Sequence, residues 1–256
     1  MPGSGLPRVL RVVDDYGAVG QGASNAHWVL VENGSEYITK GPSYTPNHPH
    51  VAANEIIAAS LAEQLGLPLL DHRVVSLGAS QYFASSWMIG PSFYPAITAQ
   101  LLADCVNQDR IYDLVALDIW IANGDRHAGN LVARKPQKGN GLPLLLLNDH
   151  SHCLVLPNES GAALAARVNS APMPYVALDF VRTAITDPAA LRAAFDAIEG
   201  VTTAAIDDAV RSVPPTLMPT GDDRLYRDFL LHRQAAARQV TRANIAMFPN
   251  IPGNAL

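Results

Sequence analysis

The chain has 256 residues, 48% apolar and 16% charged, with a formal net charge of -5. That composition supplies a full hydrophobic core and excludes wholesale disorder, and the negative charge argues against a general nucleic-acid or anionic-membrane binder. Cys105 and Cys153 are the only cysteines and give no disulfide framework; no apolar run approaches the ~20 residues needed to span a bilayer, and the opening residues lack a secretion signal's apolar core, so a cytoplasmic location is expected.

In chain order, residues 9–13 read as a strand, followed by a loop of small residues over 17–25. Residues 27–31 and 36–40 read as two strands joined through Asn33-Gly34, a pair that favours a hairpin because both turn residues tolerate positive φ. Three prolines and two histidines make 41–50 a loop. Good helix formers run from 51 to 65 and stop at Gly66, a natural C-terminal cap. An extended stretch is predicted over 73–83, and residues 84–91 read as a link between two lobes, 1–86 and 87–256. Beyond it, helices are predicted over 97–106, 111–123, 188–198, 204–213 and 222–247. Short apolar runs at 131–133 and 144–147 make a second hairpin with a loose turn. In the last helix, Leu225, Phe229, Ala236 and Val240 fall along one face. Strands with one helix, then mainly helices, make the fold class α+β.

The chemistry concentrates in two strings. One runs from Asp118 to Asn130 and contains Gly124-Asp125-Arg126-His127; the other ends an apolar run with Asn148-Asp149-His150-Ser151-His152. Phosphoryl transfer needs a carboxylate to orient the acceptor hydroxyl, and oxygen ligands for the magnesium that accompanies nucleotide phosphates. Asp125 with Asn130 five positions later has the base-and-metal-ligand spacing of a kinase catalytic loop, and Asp149 stands where the second metal ligand is required.

A cation must also reach the phosphates. Of three lysines, Lys135 and Lys138 fall in the turn of the second hairpin, which leaves Lys40 at the end of its strand. Its carboxylate partner is Glu55 or Glu63 on the following helix. They stand about 80° apart around the axis, so periodicity does not choose between them; the small neighbours Ala52 and Ala59 favour Glu55. Gly20, Gly22 and Ser24 can lay backbone N–H groups and a hydroxyl over phosphates. His127 is expected to brace the Asp125 loop or the acceptor. With His150 and His152 it also admits a metal-dependent phosphohydrolase, although hydrated magnesium prefers carboxylate and amide oxygens.

These residues resemble the HipA-like branch of the protein-kinase-like superfamily, and Gly124 to His127 is similar to the corresponding string of phosphoinositide lipid kinases. The resemblance runs from the Lys40 hairpin through Asn54-Glu55 and residues 65–68 to Asn148-Asp149. It implies a two-lobed kinase fold using ATP and Mg2+, with adenine against residues 85–90. It implies Lys40 on the α- and β-phosphates with Glu55 orienting it, Asp125 as base, and Asn130 and Asp149 as magnesium ligands. A Ser or Thr hydroxyl of a protein is one implied acceptor; a lipid headgroup and a small-molecule hydroxyl stay open as alternatives. Asp149-His150-Ser151 replaces the usual Asp-Phe-Gly, removing the hydrophobic switch residue, and motivates an alternative reading as a catalytically silent nucleotide-binding scaffold. The chain lacks the long extra N-terminal region of the larger HipA toxins, so an antitoxin partner does not follow.

Overall fold

The computed structural model describes residues 9–20, 25–86, 92–136, 141–170, 179–254 and 256. Five strands close into a barrel in the order β1-β2-β3-β5-β4: β1 (Leu10–Ala18), β2 (His27–Val31), β3 (Glu36–Lys40), β4 (His72–Leu77) and β5 (Ser80–Ser86). Every pairing is antiparallel except the closing one, where Leu10 and Arg11 of β1 run parallel to Val75 and Ser76 of β4. Val12, Val29, Val31, Tyr37, Val75 and Tyr82 fill the interior. At the β2–β3 turn Gly34 takes φ +81° and Ser35 N–H donates to Asn33 Oδ1 at 3.0 Å.

Three readings of this region are corrected. The predicted extended stretch over 73–83 is a hairpin: Leu77 pairs with Ser80, and Gly78 at φ +60° makes the reversal. Its second strand runs to Ser86, so residues 84–86 are strand rather than link, and 87–91 lie outside the described residues. The first strand extends five residues past the predicted 9–13, because register shifts after Val12 and Asp15 break the alternation and leave Asp14, Asp15 and Tyr16 facing outwards.

Helix α1 (Val51–Gln64) follows the barrel's third strand. It ends in a Schellman motif, with Gly66 at φ +64°, its N–H on the Glu63 carbonyl and Leu67 N–H on the Ala62 carbonyl. Residues from Val51 to Ala62 are buried on almost every side, so α1 carries no single apolar stripe. It packs into the larger core, which it shares with helices from the rest of the chain through residues such as Leu61, Leu114, Trp120, Phe195 and Phe229.

That second region contains α2 (Ala99–Asp104), α3 (Ile111–Trp120), the hairpin β6 (Leu131–Arg134) and β7 (Leu144–Leu147), and then α4 (Ala163–Arg167), α5 (Asp179–Ala184), α6 (Pro188–Glu199), α7 (Thr203–Arg211) and α8 (Asp222–Ala243). Helix α2 is shorter than predicted, starting where the Thr98 side chain accepts from Leu101 N–H. Helix α3 also stops early, and the chain reverses through Ala122 at φ +51°. The short helices α4 and α5 were not predicted, since five or six residues carry no readable period.

On α8 the predicted face is displaced. Phe229 and Val240 are buried, but so are Tyr226, Leu230, Arg233 and Ala237, whereas Leu225 and Ala236 are only partly buried. Tyr226 and Arg233 are polar anchors that an apolar pattern misses. Arg233 Nε donates to the Ile119 carbonyl at 3.1 Å, and its Nη1 to the carbonyls of Val168 and Ser170 at 2.8 and 2.7 Å. Burial lowers its guanidinium to about 10.

Candidate active site

Lys40 leaves the end of β3 and is buried. Its Nζ lies 2.7 Å from Glu55 Oε1 on α1 and 2.7 Å from Asp149 Oδ1 beyond β7. Burial alone would lower the ammonium's pKa, but the two carboxylates outweigh it and raise it above the ordinary lysine range. Burial would likewise raise Asp149; Lys40 and the Ser151 hydrogen bonds reverse this and hold its carboxyl well below the usual range. Glu63, the other candidate on α1, is 61% exposed and stands 3.6 Å from His72 Nε2. The competition is therefore decided by geometry in favour of Glu55.

The Asp125 loop is fixed from beneath by Arg126. Its Nε and Nη2 grip Asp118 at 3.0 and 2.9 Å, and its Nη1 donates to the carbonyls of Asn130 and Asn148, both at 2.8 Å. One guanidinium thus joins the end of α3, the loop and the strand leading to Asp149, which is the planar, multi-donor work for which arginine is suited. Asn123 reinforces it, donating to Asp118 Oδ1 at 2.7 Å and accepting from Asp125 N–H at 3.1 Å. Asn130 is buried and its Nδ2 donates to the Asp125 carbonyl at 2.7 Å, which leaves the amide oxygen as its ligand atom. His127 is exposed; its Nδ1 accepts from Gly129 N–H at 3.0 Å and caps the short 3-10 turn over 128–130. It braces the loop through the backbone.

The segment after Asp149 is held by buried polar groups. Asp149 itself takes φ +56°, a left-handed conformation, fixed by Ser151 N–H at 3.1 Å and Ser151 Oγ at 2.6 Å, both on Oδ1. Glu55 Oε2 accepts from His150 N–H at 2.9 Å. Beside Glu55, Asn54 Nδ2 donates to the carbonyls of Ser151, Cys153 and Val155 at 2.8, 2.7 and 2.7 Å. His48 Nε2 adds a contact to the Ser151 carbonyl at 2.6 Å. The His150 side chain is buried with its Nδ1 3.8 Å from Glu55 Oε2. His152 Nδ1 reaches Asp125 Oδ2 at 3.3 Å.

Lys40, Glu55, Asp149, Asp125 and Asn130 are therefore joined by one continuous set of contacts. The three histidines near them do separate work on the backbone, on Glu55 and on Asp125. Among the described residues no group of three or more His, Cys, Asp or Glu side chains is arranged to hold a metal ion. The oxygens present do suit a hard divalent cation: the Asn130 amide, and Oδ2 of Asp149, which has no protein partner among the described residues. A small cavity is lined by Glu55 and Asp149, the two partners of Lys40, together with Leu70, Phe83, Ser85 and Leu147. Gly20, at φ +74°, follows β1, and the pairing of His27 with Thr39 brings the end of that loop alongside Lys40. Gly22, Ser24 and Lys138 lie outside the described residues. Lys135 is exposed, its Nζ 5.5 Å from the centre of the Tyr94 ring.

Sequence reasoning assigned no role to Asp118, Arg126, His48 or Tyr226, and none to Asn54 beyond its place in the family pattern. One signal was available for Asn54: a lone amide within Val51-Ala52-Ala53-Asn54-Glu55-Ile56-Ile57 must be buried, and so must find partners.

Comparison with known proteins decides the family. The HipA-like kinase family matches residues 12–156, more than half of the 256-residue chain. The chain belongs to the HipA-like kinase family. Among solved structures, this HipA-like chain is similar to the proinflammatory kinase CtkA of Helicobacter pylori, with 12% identity, a TM-score of 0.64, and coverage of 93% of this chain and 99% of that one. It is also similar to a chain of the Shewanella oneidensis MR-1 toxin–antitoxin complex of HipA, HipB and operator DNA, with 14% identity, a TM-score of 0.50, and coverage of 93% and 74%. Both likenesses are of fold: a β-rich N-terminal sheet with one helix, followed by a helical region. No curated protein matches. No helix among the described residues is long and apolar enough to cross a membrane.

Proposed function

We propose that this HipA-like kinase transfers the γ-phosphoryl group of ATP, bound with Mg2+, to a serine or threonine hydroxyl of a protein. The observation that carries the reading is Lys40 held 2.7 Å from each of two carboxylates, one of which reaches the Asp125 loop through Ser151 and His152. In this reading residues 1–86 form the lobe that grips the nucleotide and 87–256 the lobe that carries the reacting groups. Lys40, steered by Glu55, binds the α- and β-phosphates, and the backbone around Gly20, Gly22 and Ser24 covers them. Asn130 and Asp149 would hold Mg2+, which when bound neutralises phosphate charge and fixes its orientation. Asp125 orients the acceptor hydroxyl and takes its proton as the oxygen bonds to the γ-phosphorus. The bond from phosphorus to the β–γ bridging oxygen breaks, and ADP leaves with its new charge beside Lys40. The Asp125 side chain is 45% exposed, which suits an acceptor approaching from outside on a large molecule.

The test is incubation with γ-labelled Mg-ATP and a general acceptor such as myelin basic protein, followed by phosphoamino-acid analysis. Thermal shift with and without Mg-ATP is measured in parallel. Label on Ser or Thr with a nucleotide-dependent shift supports the reading. A nucleotide shift with no transfer to any acceptor, or to the chain itself, replaces it with a nucleotide-binding scaffold.

A further inference from the structure

The Asp149-His150-Ser151-His152 segment departs from the usual metal-binding tripeptide, and its donors reach both reactive carboxylates. Ser151 Oγ lies 2.6 Å from Asp149 Oδ1 and 3.1 Å from His152 Nδ1, and that same Nδ1 lies 3.3 Å from Asp125 Oδ2. Proton accounting orders these contacts. A hydroxyl has one proton and an ionised carboxylate has none, so Ser151 donates to Asp149 and must accept from His152. His152 therefore carries its proton on Nδ1 and donates it to Ser151 Oγ, while Asp125 Oδ2 stands 3.3 Å from the same nitrogen. The frame around this bridge is fixed: His48 holds the Ser151 carbonyl at 2.6 Å, and its ring centre lies 5.7 Å from that of His152.

We propose that Ser151 and His152 are positioning residues that tie the Asp125 carboxylate to the Asp149 carboxylate. They hold the base at a set distance from the metal-side oxygen. The proposal rests on the functional reading above. Two carboxylates that must both stay ionised beside a triphosphate repel each other and would separate; donors placed between them remove that tendency. The pair acts on Asp125 orientation, so its loss falls on the transfer step more than on nucleotide binding.

The experiment measures kcat and KM for Mg-ATP in γ-phosphoryl transfer by the whole chain and by S151A, H152A, H152N and H152Q, with a melting temperature for each. The asparagine amide occupies the Nδ1 position, whereas the glutamine amide occupies that of Nε2. H152A and S151A are expected to lower kcat roughly 10-fold, the usual effect of losing a hydrogen bond to a charged group; KM for Mg-ATP stays within about 2-fold of wild type in H152A and rises further in S151A, whose hydroxyl also fixes Asp149. H152N is expected to recover most of the loss and H152Q little of it. An active wild type matched in kcat by H152A, or equal recovery by H152Q and H152N, overturns the positioning role alone. A folded wild type that transfers no label overturns the functional reading and the positioning role with it.

Discussion

The hydroxyl of Tyr226 on α8 donates to Oδ1 of Asn54 on α1 across 2.9 Å, with both residues fully buried. His50 Nδ1 stands 3.2 Å from the same hydroxyl, and His50 Nε2 3.5 Å from Asp222. Through Asn54 the last long helix therefore supports the three carbonyls that shape the segment after Asp149. The adjacent Glu55 serves Lys40 and His150, so two neighbouring side chains of α1 hold both sides of the site. Y226F leaves the Asn54 oxygen short of a donor and should cost roughly 1–3 kcal/mol. N54A removes the donor to all three carbonyls and should cost more. Urea midpoints check the order, and equal stability of N54A and wild type would remove the network from the account.

The Asp118–Arg126 pair makes a separate prediction. Both side chains are buried, so R126M strands a carboxylate and should cost roughly 3–5 kcal/mol. D118N together with R126M removes the charge as well as its partner, and should be more stable than R126M alone. Urea unfolding of the four combinations measures the coupling. A double variant as unstable as the sum of the single changes would show that the buried charge is not what matters.

Stability should fall on mild acidification because of His48 and His50. Burial is the main cause in both, and it depresses them below the ordinary histidine value; the Ser151 carbonyl and Asp222 respectively pull them back in part, while His152 further depresses His48. Above a pH of about 6.5, folded and unfolded chains both hold these imidazoles neutral and their contribution is complete. As the pH falls below that, the unfolded chain takes up protons that the folded one refuses, at a cost of up to about 1.4 kcal/mol per pH unit for each histidine. Comparing unfolding free energies at pH 7.5 and 5.5 stays above the carboxylate range. A drop that is smaller in H48N is expected, and a stability that rises or stays level contradicts the assignment.

Much of this was readable in the residues. The Asn33-Gly34 hairpin, the helix ended by Gly66 and the short apolar runs of the β6–β7 hairpin are local features, each set by a few neighbouring positions. Lys40 was reached by elimination among three lysines. The barrel's closure was not legible, because β1 pairs in parallel with β4 some 65 positions later (Leu10 with Val75), and nothing local in Asp14 or Asp15 marks a strand. The choice of Glu55 over Glu63 also waited for coordinates: both are carboxylates on one helix, and only the packing of α1 turns one inwards. The supports in Asn54, Arg126 and Tyr226 escaped for a related reason. Each joins segments distant in sequence, and a polar residue in the core gives no periodic signal.

The most direct check of the account is the steady-state rate of γ-phosphoryl transfer from Mg-ATP by D125N beside wild type. The substitution keeps the shape and the backbone contacts of Asp125, including its carbonyl to Asn130. A fall on the order of 10²–10⁴ in kcat, with the Mg-ATP thermal shift retained, is the predicted result. D125N turning over at the wild-type rate would contradict it.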